Sequence, residues 1–325
     1  GDPREALHLA ELARTVIHRS PGTSGTFDLL ALCFAQMANA HRASGDLVTA
    51  EEHFRFVRHL MRSEGVIDPR LVAQIDHLEG SLRKDQRRFP EAEGLLTRAA
   101  MLYRIAGEGI DSARVLLTLG AAYFRQRLFE RALEVTRTAL EGISPETEPR
   151  LYLMGRHNLV DYLAEAGRFA EAAELLASDK ELYRRYPEPW TQLRLSWVRA
   201  KIAAGLGETQ EAERLFLETR AGFIRQGIGY DVAMVSLDLT LLYLRQGRAS
   251  EVRRLAEETV ALFEAQEVHR EALAALLLLR EAARREEVTV SIVREVAERL
   301  TAASSPRQDR RLIVPLLLPG EGDRG

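Results

Sequence analysis

The chain has 325 residues, 46% of them hydrophobic, with 45 Lys and Arg against 48 Asp and Glu. That length and apolar content can bury a large core without covalent staples, and Cys33, the single cysteine, excludes an intramolecular disulfide and a cysteine-rich zinc site. A net charge of −3 supplies no global basic field for nucleic acid, and no apolar run approaches the roughly 20 residues that span a bilayer. A soluble protein of the reducing cytoplasm is the expectation. Lys84, Lys180 and Lys201 are the only lysines, an arginine bias of GC-rich bacterial genomes.

In chain order, the first segment to show a helical pattern is 3–18, with Ala6, Leu9, Ala13, Val16 and Ile17 on one face. Gly1-Asp2 and Ala6 align with Gly45-Asp46 and Ala50, so the chain is expected to begin at the turn inside a repeat and to follow an N-terminal effector domain. Helix pairs are then expected at about 27–43 with 47–64, 69–87 with 90–106, 111–126 with 129–142, 149–166 with 169–184, 189–205 with 209–225, and 231–246 with 249–265. A last pair, 269–285 and 289–303, lacks the glycine turn. Its second helix carries Arg294, Glu295, Glu298 and Arg299 as the charged outer face of a cap.

A ruler runs through these pairs. Ala132, Ala172, Ala212 and Val252 are 40 residues apart, and Gly167, Gly207 and Gly247 precede the last three by five. A fixed period of this size means a stacked solenoid. A longer period of 120 relates Gly107, Asp111, Ala113, Leu119, Tyr123, Arg125 and Gln126 to Gly227, Asp231, Ala233, Leu239, Tyr243, Arg245 and Gln246. Gly107 and Gly227 are expected to end a helix in the left-handed conformation, and Asp111 and Asp231 to cap the next one.

Leu116, Leu119, Gly120, Tyr123, Phe129, Ala132 and Ala139, closed by Pro145, resemble the tetratricopeptide repeat almost position for position. Weaker copies follow at Leu159, Leu163, Gly167, Phe169 and Ala172, and at Leu239, Tyr243 and Gly247. The 40-residue period exceeds the family's usual 34 and looks like the long repeats of MalT- and PlcR-type bacterial regulators. The resemblance covers residues 1–303 and implies an all-α, right-handed superhelical solenoid of about six full repeats. It places Gly120 and Ala132 where paired helices approach closely, with Tyr123 and Phe129 filling the gap. Glu79 and Arg199 replace the usual core leucine, so the helix phase at 69–87 and 189–205 is open to a one-residue rotation.

In such a stack the first helix of each pair faces a concave groove. The candidate binding residues there are Asn39, His77, Arg114, Phe124, Arg125, His157, Asn158, Asp161, Arg194, Trp197 and Lys201. Arg114, His157, Arg194, Trp197 and Lys201 read as a cationic and aromatic strip beside an apolar floor of Met234, Leu237 and Leu241, suited to an extended acidic-apolar peptide. Trp197 reads equally well as core. No HExxH pair, Cys/His ligand spacing or nucleophile elbow is present, and neither 21–25 nor 227–230 has the context of a phosphate or dinucleotide loop. No enzyme, cofactor or metal is therefore expected. The expectation is a protein- or peptide-binding regulatory part of a larger bacterial protein, with a small-molecule or signalling-peptide sensor and a passive scaffold as alternatives. The tail 304–325 contains Leu312-Ile313-Val314-Pro315-Leu316-Leu317-Leu318-Pro319, whose prolines exclude a helix and whose apolar side chains call for a docking place; packing on its own solenoid, self-association in a neighbour's groove and a linker to a further domain are the alternatives.

Overall fold

The structure, a computed structural model, describes residues 26–64, 68–264 and 270–303, with His8 and Thr15 as further helical residues. The expected helix at 3–18 and the tail 304–325 otherwise lie outside the described residues. Fifteen helices and no strand occur among those described. They are α1 (Thr26–Ser44), α2 (Leu47–Glu64), α3 (Pro69–Asp85), α4 (Phe89–Ile105), α5 (Gly109–Arg125), α6 (Phe129–Glu141), α7 (Pro149–Glu165), α8 (Phe169–Ser178), α9 (Lys180–Arg184), α10 (Pro189–Leu206), α11 (Thr209–Arg225), α12 (Gly229–Arg245), α13 (Ala249–Glu264), α14 (Arg270–Arg284) and α15 (Val290–Ala303). Residues 26–155 and 156–303 form two compact units, the division falling within α7.

The ruler turns out to be a backbone one. Gly45, Arg87, Arg127, Gly167, Gly207, Gly247 and Glu286 all have φ between 58° and 95° and sit at the turn between the two helices of each pair. After α5, Arg127 N donates to Phe124 O (2.9 Å) and Leu128 N to Tyr123 O (3.0 Å); Gly167 and Arg168 repeat the pattern after α7. A left-handed residue is needed there because it lets the two N–H groups fold back on the last carbonyls of the helix. Arg87, Arg127 and Glu286 bear the cost of a Cβ in this conformation, about 1–2 kcal/mol each.

Gly107 and Gly227 are also left-handed (φ 78° and 67°), as their positions require. Asp111 and Asp231 are not the caps. α5 and α12 begin at Gly109 and Gly229, so each Asp is already inside the first helical turn. The connector after the glycine is one residue long, too short to leave the Asp outside the helix. Its carboxylate there still opposes the positive end of the helix dipole. The segment 169–184 is interrupted at Asp179 (φ −90°, ψ 5°), although Asp179 N to Leu175 O and Tyr183 N to Asp179 O carry helical bonding across it. The buried Asp179 carboxylate accepts both oxygens' worth of hydrogen bonds from Arg156 Nε, at 3.0 and 2.9 Å.

Packing within each unit depends on small residues at the crossing points. A Cβ on Gly120 of α5 would lie 2.6 Å from Thr136 Oγ1 and 3.5 Å from Ala132 O of α6, the close approach expected of that pair. A Cβ on Gly205 of α10 would lie 2.2 Å from the Phe169 ring, inside any allowed contact. Core side chains such as Tyr123, Ala132, Ala172, Ala212 and Tyr243 are buried. On α15, Val293, Val296 and Leu300 are buried while Arg294, Glu295, Glu298 and Arg299 are exposed, as a cap requires.

The two ambiguous helices resolve differently. α3 is buried on most of its circumference, and Glu79 is tolerated inside because Arg58 Nε (2.5 Å) and Arg83 Nη2 (2.9 Å) meet its charge. Its neighbour Asp76, fully buried, is held by Arg58 at 2.6 Å and Arg98 at 2.5 Å. On α10, Arg199 is exposed, whereas Trp197, Val198, Ala200, Ile202 and Ala203 are buried on several sides.

Candidate functional site

In the first unit, the candidate residues on α1, α3 and α5 meet around a carboxylate that sequence reasoning passed over. Arg42 Nη1 lies 2.6 Å from Asp85 Oδ2, Lys84 Nζ 3.3 Å and Arg125 Nη1 3.5 Å from Asp85 Oδ1. Arg42 Nε also donates to Asn39 Oδ1 at 3.0 Å. Burial alone would raise the pKa of Asp85, but Lys84, Arg42 and Arg125 outweigh it and hold the group ionised below its ordinary value. His77, about two turns away on α3, meets Thr118 Oγ1 at 3.2 Å through Nε2. Burial and then the fields of Arg42, Lys84 and Arg114 push its pKa down to about 4, so the ring is neutral. Arg114 bonds Asp111 Oδ1 (3.3 Å) and Glu148 Oε2 (3.2 Å). Phe124 is half-buried against Phe129, with ring centroids 5.8 Å apart.

In the second unit, α7 and α10 bring His157, Asp161, Arg194, Trp197 and Lys201 together. Lys201 Nζ is clamped between Asp161 Oδ1 (2.9 Å) and Glu165 Oε1 (2.6 Å) and lies 5.2 Å from the centre of the Trp197 ring. Trp197 is core: it is 4% exposed, its ring meets Phe223 edge-on at 5.8 Å, and its Nε1 donates to Asp238 Oδ2 at 2.7 Å. His157 Nδ1 meets Tyr183 OH at 2.8 Å, and its pKa is pushed down to about 3 by burial, then by Arg194, with Asp161 opposing and Lys201 adding. Arg194 stacks 5.4 Å from the Trp190 ring centre. Asn158 is buried.

Two expectations are thereby corrected. Lys201 and Arg114 are already paired within the chain, so the strip is not an open cationic surface; around Lys201 the carboxylates Asp161, Glu165 and Asp238 outnumber the cations. The apolar floor is interior, since Met234 and Leu237 belong to the buried core and Leu241 packs against it. The residues that were missed, Asp85 and Glu165 among them, share one signal: Asp85, Arg125 and Glu165 occupy the same last-turn position 40 residues apart, as do Asp161 and Lys201 one turn earlier. Charges of alternating sign at the repeat period mark pairing between successive repeats.

A second feature of this unit was not visible in the sequence. An open slot of about 570 Å³ lies along the face of α10 that bears Leu195, Arg199, Ile202 and Leu206, between α8–α9 and α11. At 100° per residue this face is about 120° round the helix from the one carrying Arg194 and Lys201. Among the described residues no group of three or more His, Cys, Asp and Glu side chains is placed to hold a metal ion, and no helix is long and apolar enough to cross a membrane.

No protein-family model and no curated protein matches this chain. Solved structures do. A Rap protein complexed with competence and sporulation factor is 13% identical, covering 92% of this chain and 83% of that one with a TM-score of 0.69. NprR in complex with its cognate peptide NprX is 15% identical, covering 90% and 86% with a TM-score of 0.63. The nearly identical TPR-like repeats of a putative kinesin light chain from Podosopora anserina are 16% identical, covering 63% and 99% with a TM-score of 0.52. The fold is that of the TPR-like helix-pair solenoids.

Proposed function

We propose that this chain is a non-catalytic module that binds an extended polypeptide segment on its first-helix faces and acts as the recognition or regulatory part of a larger protein. The observation that carries the reading is the match over nine-tenths of the chain to helix-repeat proteins, one solved with its cognate peptide and another with a named factor. The chemistry of the faces supports it. Partly exposed ion pairs are exchangeable, because a ligand group of the same sign replaces an internal partner at little net cost. In the first unit the partly exposed pair is Arg114–Glu148, whose guanidinium suits a peptide carboxylate; in the second it is Lys201–Glu165, whose half-exposed carboxylate suits an amine or guanidinium. The first unit thus favours acidic peptide groups and the second basic ones, a change from the acidic-apolar segment expected from sequence.

Selection of displayed random peptides on the full chain, followed by titration of the enriched sequence, tests the reading. Arg114→Glu and Arg194→Glu are each expected to weaken binding at least about tenfold with helicity unchanged, roughly the worth of one charge-assisted hydrogen bond. Peptides enriched equally on the parent and the double variant contradict recognition by these faces.

A further inference from the structure

Second helices of successive pairs are fastened to one another by a three-residue staple. Between α11 and α13, Glu213 accepts hydrogen bonds from Tyr243 OH (3.0 Å) and Arg248 Nη1 (2.6 Å), and the Arg248 guanidinium lies 4.3 Å from the centre of the Tyr243 ring. Between α4 and α6 of the first unit, Arg131 bonds Glu93 at 2.7 Å and Tyr123 OH at 2.8 Å, with its guanidinium 4.1 Å from that ring's centre. Forty residues before Glu213, Tyr243 and Arg248 stand Ala173, Ala203 and Glu208. The staple is therefore missing between α8 and α11, where two of its side chains are cut back to methyl groups and its cation is replaced by an anion. All three positions line the slot along α10, which is the open seam that the missing staple leaves.

The seam has an apolar floor and ends of opposite charge. Gln192 Nε2 donates to Tyr183 O at 3.3 Å and to Tyr186 O at 2.8 Å, which brings the N-terminal end of α10 to α9 and so to the exposed Lys180 and Arg184. Phe169 packs on Gly205 at the other end of α10, where the exposed Glu208 and Glu211 stand at the beginning of α11. Leu176, Leu195, Ile202 and the half-exposed Leu206 line the space between. From Gln192 to Leu206 the slot follows about 21 Å of helix. Opposite charges that far apart suit a polypeptide rather than a small molecule. Along the apolar middle an extended chain would find no partners for its backbone, because the walls are helices bonded within themselves and the Gln192 amide is already engaged. A helix brings its own N–H and C=O groups paired.

We propose that the slot is a docking site for an amphipathic helix of a partner protein, about 14 residues long, with its apolar stripe on Leu176, Leu195, Ile202 and Leu206, its basic end at Glu208 and Glu211 and its acidic end at Lys180 and Arg184. The docked helix fastens α8 to α11 in the staple's stead, its basic group standing where Arg248 stands in the next seam. This interaction surface is separate from the first-helix faces, and the peptide reading above does not depend on it.

A displayed library of helical peptides of about that length, with leucines fixed at i, i+3, i+4 and i+7 and both terminal turns randomised, is selected on the full chain to test this. The expected result is enrichment of peptides with acidic residues in one terminal turn and basic residues in the other. Anisotropy titration of an enriched peptide should show about tenfold weaker binding to Lys180→Glu with Glu208→Lys, and the same peptide with the charges of its ends exchanged should then bind the better. Ala173→Glu with Ala203→Tyr and Glu208→Arg writes the staple back into the seam and should weaken binding at least about tenfold, with helicity unchanged by circular dichroism. Enriched peptides lacking oppositely charged ends, or equal binding to the parent and to both variants, overturn the proposal. A peptide lost on Arg114→Glu but kept on the stapled variant sits on the first-helix faces and overturns it as well. So does an oligomer of the parent chain that the stapled variant disperses, by assigning the slot to a second copy.

Discussion

The two units use the same 40-residue helix pair and place a neutral histidine on the first-helix face of each, yet they reach that state with opposite charge balances. In the first unit three cations, Arg42, Lys84 and Arg125, crowd one carboxylate, Asp85. In the second, one cation, Lys201, is held by Asp161 and Glu165. The scaffold therefore fixes where polar side chains stand, and the identity of two or three residues sets the sign of the face. Burial, the leading cause in both cases, keeps His77 and His157 uncharged whichever sign prevails.

The comparison is broken most severely by emptying one side of it. Trp197→Ala removes a buried indole from the second unit together with its hydrogen bond to Asp238, and is expected to cost about 3–5 kcal/mol. Urea denaturation followed by circular dichroism measures it, and a cost near zero would return Trp197 to the surface. Asp85→Ala leaves three nearly buried cations in the first unit without their shared partner. A cost of about 3 kcal/mol is expected. Lys201→Met should cost less, about 1–2 kcal/mol, because the carboxylates it frees are more open to water. The order of these two costs tests the charge assignment directly.

Acidification probes both units at once. The folded-state pKa values of His77 and His157, about 4 and about 3, lie below the ordinary histidine value of 6.5, so the unfolded chain binds protons first as pH falls. Stability is full above about pH 6.5 and declines as pH drops from there toward about 4 and 3, by about 2 kcal/mol per histidine at pH 5. Asp85, with its pKa lowered, gives up its contribution only below the ordinary carboxylate range, so it does not contribute to the slope between pH 6.5 and 5. His157→Gln should remove about half of that slope in unfolding experiments at pH 7 and 5; an unchanged slope assigns it elsewhere. The smallest effect belongs to the shared turn. Arg127→Gly relieves a left-handed residue bearing a Cβ and should stabilise the first unit by about 1 kcal/mol, whereas Gly167→Arg should cost the second unit a similar amount. Opposite shifts in Tm check the pair.

Much of the fold was legible because the repeat writes each helix pair on a fixed ruler. The glycines at 167, 207 and 247 announce a backbone conformation, and Arg87, Arg127 and Glu286 adopt it without announcing it, since the cap bonds outweigh the cost of a side chain there. The site was legible only in part. His77, Arg114, His157, Arg194 and Lys201 were found on first helices, but several of these residues pair with a neighbouring repeat: His77 meets Thr118, Lys201 meets Asp161 and Trp197 meets Asp238, each about 40 residues away. Periodicity within one helix carries no record of such pairs. The phase of α10 was ambiguous for a related reason, as its buried residues face several neighbours and leave no single apolar stripe. The slot on its neighbouring face escaped notice on the same account.

Amide hydrogen exchange on the full chain, with and without a peptide selected on it, tests peptide recognition most directly. Added protection is predicted within α3 and α5 of the first unit and within α7 and α10 of the second, around His77, Arg114, His157 and Arg194. Protection confined to α8 and α11, or none at saturating peptide, would contradict the account.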